Sequence, residues 1–228
     1  MGSVSTFLAN FDLDKLIFYL VRAAAALLCI VLHEMSHALV AYALGDDTAQ
    51  ELGRLSFNPI DHIDPLGLLL MIFVGFGWAK PVPVDMRRFR NPKGGMALTA
   101  LAGPVCNFVL ALLALGAASL LFHFTSPPPG FFGEALNWLF TFFLYTGVLS
   151  VGLGLFNLIP IPPLDGSKVA FSLLPNGAYL KLMRYERYVS IVLFALVFMG
   201  ALDGPLYAAR TMVLGAMGRL VGLPEGLI

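Results

Sequence analysis

The chain has 228 residues, 58% of them hydrophobic and only 12% charged, with a formal net charge of zero. Mean hydropathy is +0.83. A water-soluble globular domain carries roughly twice that charged fraction, and a neutral balance offers nothing to nucleic acid, so an integral membrane protein is expected, with no nucleic-acid partner. Residues 1–228 read as a single membrane domain with a core over about 14–200. No cleavable signal peptide is evident, because the first apolar run is too long and lacks a small-residue cleavage site. Cys29 and Cys106 both lie in apolar runs and read as packing residues rather than a disulfide.

A first helix is expected from about Asp14 to Gly45. Residues 46–65 form a polar loop punctuated by Pro59 and Pro65. Residues 66–78 are apolar but too short for a span of about 20 residues, so they read as re-entrant or interfacial. The alternating prolines that follow confine residues 73–84, from Phe73 to Val84, to a hairpin or edge strand at the membrane. Spanning helices are expected over 96–122 and 135–156, separated by a loop with a triplet from Pro127 to Pro129. A short helix over 167–174 and two apolar segments, 188–202 and 206–223, complete the chain. The fold class is therefore mainly α: a polytopic membrane helix bundle of about five to six apolar segments. To it are added a short re-entrant segment and a membrane-associated β-hairpin or edge strand.

Charge placement sets an orientation. Arg54 lies in the loop 46–65. Lys80, Arg87, Arg88, Arg90 and Lys93 follow in 79–95, and Lys168, Lys181, Arg184 and Arg187 in 160–187. The loop 123–134 has no Lys or Arg. The positive-inside rule puts the three basic stretches in the cytoplasm and the last loop outside. The cluster around 87–93 then lies beside anionic lipid.

Residues 33–37 read His-Glu-Met-Ser-His within the first apolar run. Ionisable groups are costly at bilayer depth and mark function there. His33 and His37 are four apart, so both imidazoles share one helix face. That is the spacing of two zinc ligands, with Glu34 beside them as general base. His33 lies on the order of 27 Å along the helix, close to the face where it leaves the bilayer. A catalytic zinc usually takes three protein ligands and keeps one open position. Asp165 stands out as the third. It follows a stretch holding Pro160, Pro162 and Pro163 and precedes Gly166, so rigid backbone leads in and permissive backbone leads out. The alternative for Asp165 is a helix N-cap.

The segments HEMSH, FNPIDHIDPLG, GWAKPVPV, AGPVCN and NLIPIPPLDG occur in this order. Together they resemble the site-2 protease family of intramembrane zinc metalloproteases, over most of residues 14–200. The similarity is to short bacterial and archaeal members without PDZ or CBS domains. The resemblance implies one Zn2+ per chain, bound by His33, His37 and Asp165, with Glu34 as the base. Asn107, in the Gly-Pro-x-x-Asn motif, would position substrate or stabilise an oxyanion. Substrates would be single-pass membrane proteins cleaved within or near the bilayer, and the segment around 73–84 would pair with the unwound substrate. The location implied is a prokaryotic inner or plasma membrane, and the charge pattern turns the active site toward the cytoplasm. The alternative is a catalytically silent binding or quality-control protein of the same fold. A metal transporter would favour His-rich loops, and this chain has four histidines.

Other polar residues have local readings. Asn157 caps its helix, and His62 is either a surface histidine or fixes the loop 46–65 through a hydrogen bond. Asp64 before Pro65 is turn chemistry. Arg22 snorkels or pairs with an acid. Cys29 shares the face of His33 but is not a ligand, since a fourth protein ligand would close the site.

Overall fold

The computed structural model of the chain describes residues 12–64, 66, 80–125, 127–224 and 226–227. In chain order the helices are α1 (Leu13–Ala43), α2 (Thr48–Glu51), α3 (Pro59–His62), α4 (Pro92–Phe124), α5 (Phe131–Asn157), α6 (Asp165–Ser172), α7 (Asn176–Phe198) and α8 (Asp203–Val221), with a 3-10 turn at Met86–Arg88 before α4. The fold is mainly helical, and no strand occurs among the described residues.

Three helices, α1, α4 and α5, are long and apolar enough to cross a membrane. The segment Tyr188–Phe198 of α7 and the whole of α8 form a pair bent by 79°, which makes a fourth span if counted as one. The expected five to six segments therefore reduce to three or four among the described residues. The two C-terminal segments are arms of one bend, turned at Gly200 with φ +70°. Most of the expected re-entrant stretch, residues 67–78, lies outside the described residues, as does 73–79 of the expected edge strand. Residues 80–84 are chain without regular structure. Pro81 and Pro83 have no N–H to give a ladder.

Helix ends follow local chemistry. Asp12 caps α1 by accepting from the Lys15 N–H at 3.1 Å. α4 begins earlier than apolarity suggests. Asn91 accepts from the Gly94 N–H at 3.2 Å, and Pro92 occupies the first turn. The polar loop is more ordered than its composition implies. Asn58 caps α3 through the Ile60 N–H at 3.2 Å, again with Pro at the start.

α1, α4 and α5 pack on one another, α6 packs on α4, and α8 on α5 and α4. Small residues make the close approaches. Ala25, Ala38 and Ala41 of α1 are buried, as are Ala100, Ala111, Ala114 and Ala118 of α4. A Cβ on Gly147 of α5 would come within 2.7 Å of the Leu115 side chain. This is the packing expected where lipid removes any hydrophobic preference for protein over solvent. Leu214 and Leu223 extend the cluster formed by Ala111, Leu115 and Val151. Both cysteines are free. Cys29 ties α1 to α5 through the Ser150 hydroxyl at 3.1 Å and the Thr146 carbonyl at 3.6 Å.

Candidate metal centre

His33 and His37 lie one turn apart on α1 and are both buried. Their ring centroids are 4.6 Å apart in an edge-on arrangement. Facing them is α4. A Cβ on Gly103 would stand 2.5 Å from both His33 Cε1 and His37 Nε2, so only glycine leaves room for the two imidazoles. Pro104 follows inside the helix. It has no N–H for the Ala100 carbonyl, which loosens the backbone ladder in that turn. One residue earlier, the Thr99 carbonyl lies 2.7 Å from His37 Nδ1.

That contact fixes the ring. A carbonyl only accepts, so Nδ1 carries the proton and Nε2 is left with a lone pair. His37 Nε2 lies 3.0 Å from His33 Nε2 and 3.1 Å from Asp165 Oδ2. His33 Nε2 is 3.2 Å from the same Asp165 oxygen. Three electron-rich atoms thus converge on one point and repel one another unless a cation or a shared proton lies between them. Zinc bonds of about 2.0–2.1 Å at tetrahedral angles separate ligand atoms by about 3.3 Å. The three observed separations match this to within a few tenths of an ångström, so the residues fit a zinc ion. No other such group of His, Cys, Asp or Glu occurs among the described residues.

Asp165 arrives from the turn after α5. It is the first residue of α6, where Leu164 and not Asp165 takes the cap position, and its side chain makes no cap bond. The carboxylate turns to the histidines instead. Gly166 lets α6 start there, because a Cβ would come within 2.2 Å of the Leu158 carbonyl oxygen. Lys168 Nζ stands 3.7 Å from Asp165 Oδ1, the oxygen turned away from the histidines.

Asn107 is fully buried one turn beyond Gly103. Its amide nitrogen stands 3.1 Å from His33 Nδ1, and its Oδ1 has no partner among the described residues. A half-turn of the amide exchanges the two. Oδ1 then accepts from His33 Nδ1–H, the tautomer that leaves Nε2 free to ligate. Such outer partners orient metal-binding imidazoles. Asn107 thus lies against a histidine of the trio, a contact the substrate or oxyanion reading did not include. Glu34 projects to a different neighbour, accepting from the Val82 N–H at 3.1 Å.

The other singled-out residues settle locally. His62 is fully buried and bonds the Ser56 carbonyl at 2.6 Å, so it fixes the loop and is not the surface histidine that was the other expectation. Asn157 donates to the Leu153 carbonyl at 3.0 Å at the end of α5. Arg22 stacks its guanidinium over Phe18 at 5.5 Å and Tyr145 at 5.2 Å. An aromatic pair therefore stands where an acid was one of the expectations. The roles of Thr99, Gly103, Lys168 and Val82 beside the site were not read from sequence. Gly103 was quoted only as the opening residue of the Gly-Pro-x-x-Asn motif, and nearness to that motif was the only cue for Thr99.

A family model described as Peptidase family M50 matches residues 125–200, which include Asp165 but not the two histidines. A protein of Bacillus subtilis (strain 168), YwhC, is 41% identical over 165 residues, covering 72% of this chain and 74% of that protein. Rip2 of Mycolicibacterium smegmatis is 34% identical over 65% of this chain and 55% of its own length. Rip2 of Mycobacterium tuberculosis (strain H37Rv) is 30% identical over 73% of this chain and 63% of its own length. The chain thus spans less than two thirds of the mycobacterial proteins. The names of all three describe zinc metalloproteases. No solved structure matches the chain. The likeness to YwhC runs through nearly three quarters of both proteins, and on that ground the chain belongs to peptidase family M50, the site-2 proteases, and is a metalloprotease.

Proposed function

We propose that the chain is an intramembrane zinc endopeptidase that holds one zinc through His33, His37 and Asp165. It hydrolyses peptide bonds of single-pass membrane proteins within or near the bilayer. The observation that carries this reading is the convergence of three ligand atoms within 3.2 Å of one another beside Glu34, on a helix long enough to span. Zinc held there supplies Lewis acidity, which lowers the pKa of water toward 7 and polarises a carbonyl. Glu34 takes the proton of the attacking water and returns it to the leaving amine. Thr99 and Asn107 hold the two imidazoles in the ligating tautomer, and Asn107 also offers an uncharged donor for a developing oxyanion. A substrate helix has its carbonyls occupied and must unwind before attack. The segment through residues 80–84 is suited to pair with the unwound stretch. The basic residues of 79–95 and 160–187 favour a plasma-membrane orientation with the site toward the cytoplasm. The residues of the site fall within one membrane domain, with a core over about 14–200.

The test uses detergent-purified protein and a tagged single-pass helix fusion. Wild type is expected to hold about one zinc, and Asp165→Ala markedly less. Glu34→Gln is expected to keep zinc and lose cleavage by a factor of about 10²–10⁴, the usual contribution of a general base. Unchanged zinc in Asp165→Ala breaks the ligand assignment, and cleavage by Glu34→Gln breaks the base assignment. Zinc-loaded wild type that cleaves no helix fusion returns the chain to the silent binding reading.

A further inference from the structure

Residues 80–85 run past Glu34 as a strap whose backbone is gripped at several points. The Lys80 N–H donates to the His62 carbonyl at 2.9 Å. Arg54 Nη2 donates to the Lys80 carbonyl at 2.7 Å and the Pro81 carbonyl at 3.3 Å. The Val82 N–H donates to Glu34 Oε2 at 3.1 Å, and the Asp85 N–H to Asp46 Oδ2 at 2.7 Å. Pro81 and Pro83 have no N–H to offer. Among the described residues this leaves the Val82 and Pro83 carbonyls and both backbone groups of Val84 without a hydrogen-bond partner.

The loop that grips the strap is itself buried where it matters. Arg54 is 9% exposed, and His62 and Asp46 are 0% exposed. Arg54 Nε has no hydrogen-bond partner among the described residues, so the guanidinium spends its bonds on the strap alone. Desolvating a cation for two carbonyls is offset only because charge-assisted bonds are strong. A guanidinium presents its donors as a rigid planar fork, whereas lysine offers a point charge on a flexible stem.

We propose that Arg54 is a positioning residue for the peptidase reaction. By holding the Lys80 and Pro81 carbonyls it sets the place of Val82, whose N–H restrains the Glu34 carboxylate. It also presents the unpaired groups of Val82 and Val84 to an extended substrate segment. Arg54 touches neither substrate nor metal and acts through the strap. This rests on the reading of Glu34 as the base and of the strap as the substrate's partner.

The test compares zinc-loaded wild type, Arg54→Met and Arg54→Lys in detergent, with a fluorescent single-pass helix fusion as probe. Zinc content, amide hydrogen exchange over residues 80–85, KM and kcat are read for each. Arg54→Met is expected to keep zinc, speed exchange at Val82 and raise KM about tenfold, the scale of one charge-assisted hydrogen bond. Arg54→Lys is expected to recover part of both. A zinc-loaded Arg54→Met with unchanged exchange and KM overturns the proposal. So does a fall in kcat in proportion to the folded fraction with KM unmoved, since that is a purely structural role. If Arg54→Met fails to load zinc, Val82→Pro removes the strap's donor while leaving Arg54 in place. It is expected to keep zinc and lower kcat about tenfold, and an unchanged kcat overturns the proposal. If wild type loads zinc but does not cleave the probe, the endopeptidase reading fails instead. The exchange comparison still decides whether Arg54 holds the strap.

Discussion

The helices α1, α4 and α5 and the C-terminal pair α7 and α8 are both rich in apolar residues, yet they differ in how many small side chains they bury. In the first group alanine, glycine and serine make up much of the buried face, beside Val31, Met35, Leu115 and Val151, while Leu16, Leu39, Val109, Leu113 and Leu120 stay exposed. In α7, Tyr179 and Leu193 are buried, while Tyr185, Tyr188, Ile191, Val192 and Phe198 are exposed. Apolarity says that a segment enters lipid. Small residues say which of its faces meets protein. His33 and His37 sit on the group with small faces, where two backbones come close enough for side chains of one helix to reach carbonyls of the next.

The sharpest way to break this comparison is to add one carbon to each region. Gly103→Ala puts a Cβ 2.5 Å from both imidazoles. It is expected to lower zinc occupancy and cut cleavage on the order of 10²-fold, the cost of a misplacement near 1 Å. Gly177→Ala in α7 meets nothing within 4 Å. It is expected to leave zinc and cleavage unchanged and to stabilise by at most about 1 kcal/mol. Equal behaviour of the two variants, measured by metal analysis and probe cleavage, would mean that close approach does not set the site. A smaller effect is expected in the core. Leu115→Ala removes a fully buried side chain and should cost about 2–5 kcal/mol in a detergent unfolding titration. Ile191→Ala on the exposed face of α7 should stay within about 0.5 kcal/mol.

The smallest effect concerns the pair Asp85 and Arg87, where the strap runs into the 3-10 turn. Hydrogen bonds from the Arg87 side chain and backbone hold the Asp85 carboxyl at about 2, below its ordinary 3.8. Its contribution is present above 3.8 and is lost as pH falls through about 2. Arg87→Ala should therefore move that loss toward 3.8 and leave behaviour at neutral pH unchanged. Acid titration of Val84 and Asp85 exchange checks it.

The features legible in the sequence were those written in side chains. The His-x-x-x-His spacing, the proline-led Asp165 and the three long apolar helices are found where the pattern puts them, to within a few residues. The contacts that escaped are written in backbone. Any residue at position 99 would offer His37 a carbonyl, and any but proline at position 82 would offer Glu34 an N–H. Gly103 read only as part of the Gly-Pro-x-x-Asn motif, and its reason shows only once the imidazoles opposite it are in place. Arg54 read only as a marker of the cytoplasmic side, because nothing local to it shows that residues 80 and 81 fold back onto it. The C-terminal stretch read as two apolar segments, 188–202 and 206–223, with no angle between them, because apolarity carries no direction. The bend at Gly200 is a property of φ and not of hydropathy.

The proposed metal ligands include positions 37 and 165, so more than half of the chain lies between two of them. In topological terms a bound ion is a cross-link that closes a very long loop, with α4 and α5 inside it. Closing such a loop in the denatured chain has an entropic cost that grows only slowly with length, and ion binding is folding free energy wherever the site is absent from the denatured chain. A stripped protein therefore loses a tie in its connectivity along with its chemistry. The chain from Leu158 onward, held to the rest by α6 and α8, is the part that this tie anchors.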